Sequence, residues 1–169
     1  DSVFDDLTYN ARVATKRFHL GKLLGSTDLG PISLDIHSHG KVTQGRASGN
    51  IDAHIRNLTY KGYTYRELRA KGQFRPQRYD GTFSINDENI EMYFSGLVNL
   101  AHKQPDINCD LRLVRLRPGV LQLSPKLEKM EISSTMAVNL SGRNLDEMNG
   151  YLVIDSTRLR NGNDSVLMN

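Results

Sequence analysis

The stretch YDGTFSINDENIEMYFSGLVNL, Tyr79 to Leu100, decides how the rest of the chain reads. In its first arm Gly81, Phe83 and Ile85 fall on one side, and Asp80, Thr82, Ser84 and Asn86 on the other. In its second arm Ile90, Met92, Phe94, Gly96, Val98 and Leu100 share a side. Glu91, Tyr93, Ser95 and Asn99 lie opposite, with Leu97 the one apolar exception. Side chains alternate across a strand, so this period of two predicts a β-hairpin with one apolar face and one wet face. Asn86 to Asn89 supply its turn, because Asn and Asp side chains bond their own backbone and tolerate left-handed conformations. Its second arm, about eleven residues or roughly 36 Å, is long for a strand and needs another strand beside it.

The same pattern recurs along the chain. Ile32, Leu34 and Ile36 alternate with Ser33, Asp35 and His37; Ile51, Ala53 and Ile55 alternate with Asp52, His54 and Arg56. A turn at Tyr60–Tyr63 leads into Thr64, Arg66, Leu68, Ala70, Gly72 and Phe74, which alternate with Tyr65, Glu67, Arg69, Lys71 and Gln73. Ile107, Cys109, Leu111 and Leu113, and later Met136, Val138 and Leu140, repeat it; Leu152 and Ile154 begin a further strand. A closing hairpin is expected around Asn161, Gly162 and Asn163. Residues 116–129 break the pattern with Pro118, Gly119 and Pro125, and a helical turn is expected near Pro125 to Lys129. NLDEM reads as one helical turn capped by Asn144. The first 28 residues fit a strand followed by a short helical turn less clearly. Short connections throughout predict an up-and-down meander with no helices to cover the apolar face. Small residues on that face (Ala53, Ala70, Gly72, Gly81, Gly96) let a sheet curl.

Composition bounds the function. The 169 residues are 38% hydrophobic and 24% charged, with a net charge of +3, so neither a nucleic-acid nor a membrane partner follows from charge alone. One cysteine, Cys109, forms no internal disulfide and sits on the apolar side of its strand. No Gly-rich phosphate loop, nucleophile elbow or zinc-binding HExxH occurs, and the acidic turn lacks calcium-loop spacing. His37 and His39 share a strand face with Asp35, a pattern that suits a metal but equally a solvated polar face, and the latter is the expectation. Between Arg56 and Arg78 stand seven basic residues and one acid, Glu67, with Tyr60, Tyr63, Tyr65 and Phe74 among them. That mixture suits nucleic acid, by phosphate pairing and base stacking, lipid head groups or a protein partner, or a charged outer face neutralised by the next strand, and the last is the expectation.

Three runs carry a family likeness: NLTYKGYTYRELRAKGQF, YDGTFSINDENIEMYFSGLVNL and LSGRNLDEMNGYLVIDSTRLRNG, with FHLGKLLGSTDLGPISLDIHSHG upstream. From about Phe18 onward the chain resembles the TamB family of translocation and assembly module proteins, within the wider AsmA-like group. The resemblance implies an all-β, elongated and curled, antiparallel-rich meander with an apolar concave face, a taco-like groove with few short helical turns. It implies residues 1–169 as a single internal segment of a longer repetitive β protein, anchored in the inner membrane elsewhere and lying in the periplasm. It implies phospholipid transport and outer-membrane assembly, with acyl chains as ligand and an outer-membrane barrel protein as partner of the full-length protein. No enzyme site, cofactor, metal or nucleic acid is expected. The residues expected to line the groove are Leu34, Ile36, Ile55, Phe74, Phe83, Ile85, Met92, Phe94, Val98, Leu111, Leu113, Met136, Val138 and Ile154. The alternative is a closed all-β structural or protein-interaction domain, in which the same residues form an ordinary core and the basic face from Arg56 to Arg78 docks a partner.

Overall fold

The computed structural model describes residues 6–101, 103–162 and 164–168. The hairpin of the opening stretch forms, with strands β5 (Arg78–Asn86) and β6 (Ile90–Asn99) in direct antiparallel register: Phe83 opposite Phe94, Ile85 opposite Met92, Gly81 opposite Gly96. Outward from it the chain adds β4 (Tyr63–Arg75), β3 (Arg46–Tyr60), β2 (Leu29–Thr43) and β1 (Asp6–His19) on one side. On the other side lie β7 (Asp106–Leu116), β8 (Met130–Gly142), β9 (Met148–Asn161) and β10 (Asp164–Met168). All ten make one antiparallel sheet in sequence order, an open meander. A five-residue helix α1 (Leu20–Leu24) follows β1, closed by Gly25 in the left-handed region. Short 3-10 turns stand at Pro125–Leu127 and Leu145–Glu147, and the Asn144 side chain accepts from the N–H groups of Asp146 and Glu147, the expected cap. The last hairpin turns after Asn161 and Gly162; Asn163 lies outside the described residues. No helix among the described residues is long and apolar enough to cross a membrane.

The sheet stays a single layer. A compact globule of this mass exposes about 8,400 Å², whereas this chain exposes 11745 Å². The closed core of the alternative reading therefore does not form across the sheet. Burial concentrates at one end, where Leu121 from the β7–β8 connection seats on Leu68, Ile85 and Ile90. Ile55, Tyr63, Tyr65, Phe83, Met92 and Leu116 pack around them.

Near that end the simple alternation fails. Five strands carry one residue more than an adjacent strand: around Arg17 in β1, between Leu29 and Ile32 in β2, and around Arg56 in β3, Val114 in β7 and Asp155 in β9. Each is a β-bulge, which bends its strand and turns the following side chains over. Arg17 sits at φ 50°, and its N–H, freed from the ladder, bonds the buried Ser33 hydroxyl at 3.0 Å. In β4 the matching irregularity is Glu67 at φ 49°. It corrects the sequence reading of that strand: Tyr63 and Tyr65 join Leu68 on the apolar face, while Thr64 and Arg66 are exposed.

Candidate functional site

Directly opposed residues of an antiparallel pair point to the same side, so the registers trace the apolar face row by row. One row runs Leu34, Ile55, Leu68, Ile85, Met92, Leu113. The next runs Val13, Ile36, Ala53, Ala70, Phe83, Phe94, Leu111, Met136, Ile154. A third holds Ile51, Gly72, Gly81, Gly96, Cys109, Val138 and Leu152. A fourth holds Phe74, Tyr79, Val98, Ile107 and Leu140. All fourteen residues named from the sequence thus lie on one face. Ile85 is buried, twelve are half-buried, and Ile154 near the edge is 49% exposed.

The floor of this face dips in the third row. A Cβ on Gly81 would stand 2.6 Å from the Gly72 Cα and 2.4 Å from the Lys71 carbonyl oxygen, so the two strands approach there only as glycines. Large side chains flank the dip, with the Tyr79 and Phe94 rings 6.4 Å apart. Burial raises the Tyr79 hydroxyl pKa above its ordinary value. Burial first, and Asp110 second, raise that of the Cys109 thiol.

At the covered end a polar network holds the turns together. Asp87, 4% exposed, accepts from the Tyr63 hydroxyl, from Arg66 N–H at 3.1 Å and from Asn89 N–H at 2.9 Å. Asn89 Nδ2 donates to the Tyr63 oxygen at 3.0 Å, and Arg117 reaches Asn89 Oδ1 at 3.3 Å and Glu131 at 2.9 Å. Burial, and then the bond to Asp87, push the Tyr63 phenol up to about 12. This network fixes where the β7–β8 connection crosses the apolar face, and so sets where the open part begins.

The opposite face is polar and paired across strands. Arg12 grips Asp35 with two bonds, 2.6 and 3.1 Å, and these hydrogen bonds hold the Asp35 carboxyl below its usual range. His37 bonds Asn10 at 2.8 Å, His39 bonds Asn50 at 3.1 Å, and His54 bonds Glu67 at 2.8 Å. Each of these three histidines thus has its own partner. Among the described residues no three His, Cys, Asp or Glu side chains group to hold a metal ion. Lys71 pairs with Asp52 at 3.6 Å and Arg69 with Glu67 at 3.5 Å. Three of the four aromatic residues that interleave with these bases in sequence divide from them in space: Tyr63 and Tyr65 pack in the apolar cluster, and Phe74 stands opposite Tyr79 in the fourth row, leaving Tyr60 alone beside a base, Lys61. A base-stacking platform on the basic side is therefore not built.

Sequence reasoning passed over several residues of the apolar face. Leu68, Ile90, Ile107 and Leu140 sit in the same alternations and were legible there. Tyr63 and Tyr65 were hidden by the left-handed Glu67. Leu121 lies in a connection with no period at all, so nothing in the sequence marks it as the most buried leucine. No family model, no curated protein and no solved structure matches the chain.

Proposed function

We propose that this chain is a segment of a TamB-like, periplasm-spanning envelope protein, and that its apolar face is the wall of a trough along which phospholipid acyl chains move toward the outer membrane. The observation that carries the reading is an apolar face nine strands wide, left uncovered over most of its extent in an open sheet. Such a face in water is unfavourable unless something apolar lies on it. Each methylene moved from water to full burial is worth about 0.8 kcal/mol, and about half that against a wall open on one side. An acyl chain gains this at every step, with few directional contacts to trap it. The polar face, with its ion pairs, keeps the other side in water. The barrel partner and inner-membrane anchor of the family belong to the full-length protein under this reading.

Mass spectrometry of organic extracts from the purified chain, after gel filtration away from free lipid, tests the proposal. Stoichiometric phospholipid in the wild type, lost in Phe94→Asp with the fold retained by circular dichroism, is the expected result. A lipid-free, well-folded wild type that also ignores an apolar dye would overturn it.

A further inference from the structure

Three connections at the covered end adjoin one another. The Lys61 N–H of the β3–β4 turn donates to the Asp28 carbonyl after α1 at 2.7 Å. On its other side the same turn meets the β7–β8 connection, where a Cβ on Gly62 would touch the Gln122 side chain at 3.3 Å. Together they form a continuous rim. Leu121 anchors the connection by pointing inward, and its neighbours Val120 and Leu123 point out. Leu23 is 69% exposed and Leu123 57%, with Leu24, Val120 and Tyr60 also exposed. Single exposed leucines are ordinary, but five large apolar side chains on one rim are not. Among the described side chains, the connections at the opposite end expose one, Leu100.

Lysines outnumber acids on this rim and its adjacent turn by four to three, and what sets the lysines apart is their lack of ion-pair partners among the described residues. Lys22, Lys61, Lys126 and Lys129 stand among the apolar tips, against Asp28 and Glu128, with Glu88 on the adjacent turn. None of the four lysines lies within salt-bridge distance of a carboxylate among the described residues. Lys61 instead lies over the Tyr60 ring, 5.6 Å from its centre. Apolar tips flanked by free lysines, with a tyrosine among them, are what a bilayer interface accepts. The tips enter the acyl boundary while lysine stems lie along it and hold their charges at the head groups.

We infer that this rim docks the protein on a membrane surface carrying anionic phospholipid. The inference goes beyond the trough reading and uses none of the trough's fourteen residues. A protein partner with an apolar groove would bury the tips but leave four lysines facing whatever surrounds it; an anionic bilayer satisfies both.

Flotation of the purified chain with vesicles tests it, using phosphatidylcholine alone or mixed with phosphatidylglycerol. Binding to the anionic vesicles that weakens with salt is expected. The double variant Lys22→Gln/Lys126→Gln should bind on the order of thirtyfold more weakly, at the usual gain per lysine near an anionic surface. Leu23→Ser/Leu123→Ser should lose binding while melting as the wild type does, since both leucines are exposed. Phe94→Asp should bind vesicles normally, so failure of the rim and failure of the trough read out separately. Equal binding of the serine variant, equal binding to neutral vesicles, or no flotation would overturn the inference. So would a dimer that depends on the two leucines and ignores vesicles.

Discussion

Truncating Leu121 to alanine should cost about two and a half times as much as the same truncation at Leu111, and the contrast measures how open the apolar face is in solution. Leu121 is 2% exposed and touches Leu68, Ile85 and Ile90. Removing its three outer carbons forfeits about 2.4 kcal/mol of transfer energy. The cavity left behind adds roughly 0.5–1 kcal/mol, since the connection settles only partly against the sheet. The total is about 3 kcal/mol. Leu111 sits mid-face between Phe94 and Met136 and is half-buried. Its truncation forfeits about half the transfer energy, or roughly 1.2 kcal/mol, and opens no cavity because the space is already continuous with solvent. Urea unfolding followed by far-UV circular dichroism gives both values, provided the slope stays constant between variants. If Leu111→Ala costs as much as Leu121→Ala, the face is covered in solution and the open-trough argument is wrong.

Other measurements probe other parts of the fold. Gly81→Ala should destabilise by about 1–3 kcal/mol, because the new methyl group meets backbone rather than a movable side chain, and an unchanged urea midpoint would contradict the close approach. The Tyr63 phenol has its pKa raised from 10.0 to about 12, so its contribution to stability is complete below pH 10 and is lost as pH rises through about 12. Melting of the wild type should therefore fall across that window more steeply than melting of Tyr63→Phe, and parallel curves would remove Tyr63 from the account. Beyond the five-residue β10, the edge of β9 from Met148 to Ser156 pairs with no strand among the described residues, and Tyr151 to Ile154 are exposed and uncharged. Such an edge favours strand pairing between copies. Sedimentation velocity should show concentration-dependent association that Val153→Lys reduces, and a wild type that stays monomeric at every concentration would refute this.

Much of the architecture was legible because each strand states its own two faces. The hairpin from Tyr79 to Leu100, the turns at Gly62 and Pro76, and the Asn144 cap each rest on local chemistry, and each forms. What escaped was whatever one residue of irregularity controls. A period of two counted through Glu67 places Tyr65 on the wrong side, and no glycine or proline marks the spot. The rim and the seat of Leu121 depend on which connections adjoin, and a local pattern holds no such information. The basic, tyrosine-rich stretch misled for a related reason: neighbours in sequence were assigned to one surface that the strand then divided in two.

The bulges around Arg17, Arg56, Val114 and Asp155 have a consequence for how this chain tolerates change. Face assignment in a meander works like a reading frame, and each extra residue is a frameshift. One strand shifted alone would turn its leucines into water against its neighbours' apolar side. Shifted at a similar height in several strands, with β8 reading through and β2 carrying its own extra residue between Leu29 and Ile32, the frame is restored and the whole sheet creases instead. Substitutions on the apolar face should therefore be absorbed one at a time. A single-residue deletion at Arg56 or Val114 should not be, unless a matching deletion is made in the strands beside it.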